Sequence, residues 1–226
     1  LLVHVPGYGA EMSTHPELVF QGFHVLHISP LGYATPSGPD ESKKKDGNWP
    51  VLPDTAASYG KSGYREWLLN CMLAVRWAQS LPEVIDGRVS FFGTSQGGGG
   101  ALLLGSVFRD RGARCVAADV PFLTNFPMAD GKGAYSLAIQ GLAKAEDEAA
   151  AWRAIGFVDT LSHAFRLKMP VLLTAGGDDW VCPPDTIESL FQALPGTRSL
   201  TYLHKEVHRY TRAFIPLASA WFRLYA

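Results

Sequence analysis

Short apolar runs bounded by glycine and proline alternate along this chain with stretches whose apolar residues recur at helical spacing. Leu1–Val5, Phe23–Ile28, Arg88–Phe92, Arg114–Val120, Pro170–Ala175 and Leu200–Leu203 read as strands, each an apolar run of strand length closed by turn residues. Trp67, Leu68, Cys71, Met72, Val75 and Ala78 return on one helical face from about Tyr64 to Ser80, and Pro82 follows, which predicts an amphipathic helix used for packing. Further helices are expected over Glu11–Gln21, Ala101–Phe108, Ala143–Arg153, Thr186–Ala193 and about Tyr210–Tyr225. The last should carry Phe214, Leu217, Trp221 and Leu224 inward, with Pro216 kinking or delaying it. Strands that take turns with helices in this way predict an α/β fold, a mostly parallel central sheet with helices on both faces.

Two excursions break the alternation. Residues 29–63 are dense in Pro, Gly, Asp, Lys and Ser, and a loop of that length is usually functional or mobile. Trp49 inside it either drapes over a site or pins the loop, while Lys43–Lys45 read as a solvated turn. Residues 123–157 form a lid-like insertion, which after a parallel strand would lie over the carboxyl edge of the sheet, where ligands bind in open α/β folds. Phe122, Phe126 and Trp152 are candidates for lining an acyl pocket there, with ordinary packing as the plainer role of each. His24 and His27 read as structural residues on strand faces, and His163 as a helix-surface residue.

Composition narrows the partners. With 226 residues and 47% hydrophobic content the chain supports one core, hence one domain over residues 1–226. A net charge of -1 with scattered basic residues argues against nucleic acid and against an anionic membrane surface, leaving a small, near-neutral molecule as the expected partner. Cys71, Cys115 and Cys182 are too far apart for a metal knuckle and odd in number, so neither a metal nor a disulfide framework is expected, and reducing, cytoplasmic conditions are slightly favoured. No apolar run approaches the roughly 20 residues of a membrane span. The chain opens on Leu1 without Met, and further strands or a targeting segment are expected upstream.

The chemistry concentrates at Gly93-Thr94-Ser95-Gln96-Gly97, which fits the G-x-S-x-G nucleophile elbow between a buried strand and a helix. Gly97 to Gly100 at a helix start cost about 1 kcal/mol each against alanine, so something local must require them. A phosphate cradle is the rival, but no Lys-Ser/Thr follows the glycines and no acidic residue stands in dinucleotide register. Pro6-Gly7-Tyr8-Gly9-Ala10 leaves an earlier strand through a turn suited to supply an oxyanion-hole N–H, with Tyr8 as the candidate donor and Gln96 as the second. An acid is expected just past the Pro170–Ala175 strand, where Asp178 and Asp179 are adjacent and only one can face the site. Of the two histidines beyond the last strand, His204 follows it too closely to swing over the sheet edge, which favours His208. Serine, acid, histidine is the chain order of an α/β-hydrolase triad.

From Leu2 to about Arg209 the sequence resembles the acetyl xylan esterase and cephalosporin C deacetylase group, the seventh carbohydrate esterase family. The resemblance rests on Pro6-Gly7-Tyr8-Gly9, Tyr64-Arg65, Gly93-Thr94-Ser95-Gln96-Gly97-Gly98, Ala118-Asp119-Val120-Pro121-Phe122-Leu123 and Asp179-Trp180-Val181-Cys182-Pro183-Pro184. It implies the catalytic set Ser95, Asp179 and His208, oxyanion donors at Tyr8 and Gln96, acetyl as the main group removed, and frequent homo-oligomers. Leu31-Gly32-Tyr33 stands where the family has Arg-Gly-Gln, and His208-Arg209 where it has His-Glu, which marks a divergent member. The expectation is a serine carboxylesterase or deacetylase that needs no metal and no cofactor. Its rivals are a peptidase or dienelactone-type hydrolase on the same fold, or a binding module that kept the fold without the chemistry.

Overall fold

Elements follow one another as β1 (Leu2–Val5), α1 (Pro16–Val19), β2 (Val25–His27), β3 (Ala34–Thr35), β4 (Gly38–Pro39), α2 (Gly63–Gln79), β5 (Val89–Thr94) and α3 (Gln96–Phe108). Then come β6 (Ala113–Asp119), α4 (Phe126–Ala129), α5 (Ser136–Ala143), α6 (Glu148–Gly156), β7 (Val171–Gly176), α7 (Pro184–Ala193), β8 (Arg198–Leu203) and α8 (Phe214–Tyr225). These come from a computed structural model that describes residues 1–9, 12–50, 56–58, 60, 62–209 and 212–226. The expected helix starts at Glu11 and Tyr210 lie outside the described residues.

The main sheet has the order β2-β1-β5-β6-β7-β8, and every neighbouring pair in it is parallel. Its central strands β1, β5, β6 and β7 are mostly apolar and buried on both faces, as a sheet covered on both sides requires. Val3, Val5, Phe91, Val116, Val171 and Leu173 pack into one core cluster with Trp67 of α2 and Leu102 of α3. Leu2, Phe92, Cys115, Ala117 and Leu172, the alternate residues, pack on the other face against Leu18 of α1 and Phe214, Ala218 and Phe222 of α8. Phe91 and Phe92 are both fully buried on opposite sides, each stabilising by about 1.5–3 kcal/mol.

The predicted parallel α/β fold is therefore observed, with local corrections. The α3 helix begins at Gln96 rather than Ala101, so all four glycines are helical. The helix expected over Ala143–Arg153 is α6, which starts later, at Glu148, capped by the Asp147 carboxylate accepting the Ala150 N–H at 2.9 Å, and α5 ends where it was expected to begin. The α1 helix is a single turn. Pro216 does delay α8, standing in its first turn, but the buried stripe is Phe214, Ala218 and Phe222, and Leu224 is exposed. The 29–63 excursion holds the small β3–β4 hairpin and a 3-10 turn over Glu41–Lys43. Trp49 pins this loop: it is buried, stacks on Tyr33 with ring centroids 4.9 Å apart, and lies under Lys44. His163 sits in a 3-10 segment rather than on an open helix surface, with Nε2 3.1 Å from the Phe157 carbonyl. Among the described residues no helix is long and apolar enough to cross a membrane.

Candidate active site

Because every strand of the sheet runs the same way, the exits of β1, β5, β7 and β8 all open at one edge, and each delivers a side chain or an N–H to it. Ser95 follows β5 at the sheet's centre with φ 58° and ψ −120°, a strained conformation for a residue with a side chain. Its neighbours hold it there. The Ser95 N–H donates to the Asp119 carbonyl at 2.9 Å, and the Ser95 carbonyl accepts from Phe122 N–H at 2.9 Å. A Cβ on Gly93 would stand 2.5 Å from the Val5 carbonyl oxygen, and one on Gly97 would overlap that same oxygen. The glycines are thus explained by backbone approach, not by any ligand. Asp119 fastens the neighbouring strands: its carboxylate accepts from Thr174 Oγ1 at 2.6 Å and from Thr94 Oγ1 at 3.0 Å, fixing the residue just before Ser95.

Beyond β7, the Asp178 N–H donates to the Glu206 carbonyl and the Gly177 N–H to the Leu203 carbonyl, both at 3.0 Å. These bonds tie the exits of β7 and β8 together. They leave Asp178 exposed and turn Asp179 inward, 4% exposed. Asp179 Oδ1 accepts the N–H groups of Val181 (2.9 Å) and Cys182 (2.8 Å), while Oδ2 lies 2.8 Å from His208 Nδ1. With a carboxylate oxygen as its partner, Nδ1 carries the ring proton, so Nε2 presents a lone pair. Ser95 Oγ lies 2.8 Å from that Nε2, placed to donate its hydrogen. His204 is exposed. Cys182, beside Asp179, has its thiol pushed well above the usual range by burial and then by the Asp179 charge, which keeps it a protonated packing group.

Tyr8 and Gln96 flank the serine. The Tyr8 hydroxyl accepts the Trp49 N–H at 3.0 Å, so the buried Trp49 sets the turn after β1. Gln96 is buried, and its Oε1 accepts the Tyr64 hydroxyl at 3.1 Å. Backbone N–H groups at the first positions of α3 lack partners inside the helix and are free to point at an anion. The cleft over these residues has a volume of about 780 Å³. Phe122, Leu137 and Val181 line it on an apolar side; Asn48, Arg209, His15 and Glu17 supply polar lining. Of the aromatic residues expected there only Phe122 reaches it, since Phe126 packs behind Phe122 and Trp152 donates to Glu148 on α6 at 3.4 Å.

Sequence reasoning gave no site role to three contributors. Tyr64 was legible only through its place in a motif. Gly133, at φ 53°, lets the segment after β6 lie against the Trp180 and Val181 backbone, where a Cβ would collide. His4, His15 and His27 come together, the first two in the lining of the cleft; their one signal is that four of the seven histidines fall within the first 27 residues.

A family model described as acetyl xylan esterase (AXE1) matches residues 42–224. Among solved structures, the acetyl xylan esterase from Paenibacillus sp. R4 superposes with a TM-score of 0.82 at 23% identity, covering 100% of this chain and 74% of that one. Acetyl xylan esterase 1 from Thermoanaerobacterium sp. JW/SL YS485 gives 0.80 at 24% identity with the same coverage, 100% and 74%. Est1E from Butyrivibrio proteoclasticus, solved with ferulic acid bound, gives 0.62 at 15% identity over 99% of this chain and 87% of that one.

Proposed function

Because this chain belongs to the acetyl xylan esterase family, and is by that membership a serine ester hydrolase, we propose that it removes short acyl groups, chiefly acetyl, from sugar hydroxyls through an acyl-serine intermediate. Ser95 Oγ attacks the ester carbonyl as His208 Nε2 takes its proton, forming the Oγ–C bond. The carbonyl π electrons move to oxygen, and the N–H groups of Tyr8 and Gln96 receive that oxyanion. Collapse breaks the bond to the alcohol oxygen, which leaves with the proton held by His208. Water then repeats the cycle on the acyl-serine, releasing the acid and restoring the Ser95 hydroxyl. Asp179 keeps His208 in the required tautomer and stabilises its cation. No step calls for a metal or a redox group.

The observation that carries this reading is the pair of 2.8 Å contacts joining Ser95 Oγ, His208 and Asp179 across three separate loops. Substrate class is argued from the lining. Phe122, Leu137 and Val181 offer a small apolar recess for an acyl chain, with Leu137 reaching the cleft from the insertion, which acts as its lid. In the same lining Asn48 and Arg209 offer hydrogen bonds suited to a polyhydroxy alcohol, and the half-exposed Tyr8 ring offers a face for a sugar. The test is Ser95→Ala: turnover of an aryl acetate and of an acetylated xylo-oligosaccharide should fall by up to about 10⁶-fold, and labelling by a fluorophosphonate should vanish. Survival of most of the activity defeats the role of Ser95. Equal turnover of acetyl and long-chain esters by the wild type defeats the substrate assignment.

A further inference from the structure

Two imidazoles that the ester chemistry does not use, His4 and His15, line the cleft, and a third, His27, is grouped with them. His4 projects from β1 onto the α8 face of the sheet, stacked on Phe92 with ring centroids 4.8 Å apart. His27 stands on β2 as its neighbour in register. His15 comes from the turn before α1 in a left-handed conformation, φ 44° and ψ 56°. His4 Nδ1 lies 2.7 Å from His27 Nδ1 and 3.1 Å from His15 Nε2, and all three ligand atoms fall within 4.8 Å of one another. We propose that His4 Nδ1, His15 Nε2 and His27 Nδ1 form a binding site for a divalent first-row transition cation, Zn²⁺, with its fourth coordination position open to the cleft.

His15 Nδ1 is 3.2 Å from the Glu17 carboxylate, so it carries the proton and leaves a lone pair on Nε2. That lone pair faces His4 Nδ1. If His4 Nδ1 holds a proton it can point it at His15 or at His27, not in line with both; if it holds a lone pair, it opposes the lone pair of His15. No neutral arrangement gives both short contacts a well-aligned hydrogen bond. An added proton would place an imidazolium charge among rings that the fold takes out of water, His4 and His15 both being buried. A cation at the centre meets all three lone pairs at once. Zinc with nitrogen ligands at 2.0–2.1 Å in a tetrahedron needs nitrogen pairs about 3.3 Å apart, which bracketing distances of 2.7 Å to 4.8 Å reach by small ring rotations. His27 Nε2 finds no partner among the described residues, so that ring is held through its Nδ1 side.

The rest of the arrangement also suits a metal. Three neutral imidazoles select zinc-like ions over Mg²⁺ or Ca²⁺, which prefer oxygen. Glu17 behind His15 is the outer carboxylate that orients a ligating histidine and raises its basicity. His4, His15 and Glu17 line the same cleft as Ser95 and His208, so the open position takes water or an oxygen of the molecule bound there.

The experiment is calorimetric titration of the full chain, stripped with a chelator, using Zn²⁺, with Co²⁺ as a spectroscopic probe and Mg²⁺ as the control. Expected are one saturable Zn²⁺ per chain, a visible tetrahedral Co²⁺ spectrum and no Mg²⁺ binding. His15→Asn should abolish the site, and Glu17→Ala should weaken it by about 10- to 100-fold. Glu17 is 44% exposed, so its variant reports on the metal even if the histidine variant does not fold. Absence of saturable Zn²⁺ binding, or an affinity that Glu17→Ala leaves unchanged, overturns the proposal. Neither result depends on esterase turnover.

Discussion

Asp179 does two jobs with two oxygens, and they can be separated. In Asp179→Asn the amide oxygen can keep the Val181 and Cys182 N–H groups, so the loop after β7 retains its shape. The amide NH₂ then faces His208 Nδ1 and demands a lone pair there, which moves the ring proton to Nε2 and aims it at Ser95. The serine loses its base through a tautomer, not through a displacement. We expect kcat on an aryl acetate to drop by about 10⁴-fold with KM and the melting temperature little changed. A loss of only a few fold means that Asp179 does not orient His208. Chain order in the sequence points to the loops after β5, β7 and β8, whose side chains the structure brings together, but which of Asp178 and Asp179 faces them is decided by hydrogen bonds between the β7 and β8 exits. That pairing joins residues distant in sequence, so residue-level reading left it open until a family pattern was brought in. The histidine cluster was less legible still: positions 4, 15 and 27 share no metal-ligand spacing and meet only because β1 and β2 are parallel neighbours.

At the scale of elements, the β5–α3 unit shows where propensity misleads. Four successive glycines argue against a helix, and the sequence accordingly suggests one that starts at Ala101. The helix starts at Gln96 because those positions are where α3 is crowded by its neighbours. A side chain on Gly97 would meet Val5 and Pro6, one on Gly99 the Phe122 carbonyl, and one on Gly100 the Trp67 ring. Tertiary contact overrides a local cost of about 1 kcal/mol per glycine. Gly97→Ala should therefore yield little folded protein, since its Cβ meets backbone that cannot turn aside. Gly22→Ala, where nothing lies within 4 Å but φ is +88°, should fold with a loss of only about 1–2 kcal/mol. Soluble expression and chemical denaturation of the two variants side by side would measure the contrast; equal stabilities would mean that the elbow does not need its close approach. In α8, similarly, the amphipathic pattern was legible but its phase was not. Phe214 and Phe222 define the buried face, and Leu217, Trp221 and Leu224 sit to its side or in solvent.

Over the whole molecule, strand-to-helix alternation made the sheet readable, whereas the walls of the cleft come from stretches without periodicity. Residues 123–157 are joined to the body by Asp159, whose buried carboxylate accepts the N–H groups of Asn125, Phe126 and Leu161, each at 2.9 Å. Beside it Thr124 and Thr160 share a 2.8 Å bond, and Tyr135 bonds both the N–H and the carbonyl of Thr124. Burial raises the Asp159 pKa, with the three N–H donors pulling the other way. A carboxyl whose folded value lies above its unfolded one holds more protons in the folded state, so its contribution is full below the unfolded value and declines as pH rises through the folded one. Asp159→Ala strands the buried N–H groups of Asn125 and Phe126 at about 1–3 kcal/mol each, and the part-buried one of Leu161 besides, a large share of a typical domain's stability. The melting temperature at neutral pH should fall by well over 5 °C on the usual scaling of about 2–4 °C per kcal/mol. The insertion should also loosen around Leu137 and Phe122, so the preference for acetyl over butyryl esters should shrink while Ser95 stays reactive to a fluorophosphonate. Asp159→Asn removes the buried charge and keeps one acceptor oxygen, so the wild type should gain on it as the pH is lowered toward the unfolded carboxyl value of about 4. An alanine variant with unchanged melting and unchanged acyl preference would show that the insertion is anchored elsewhere and does not shape the pocket.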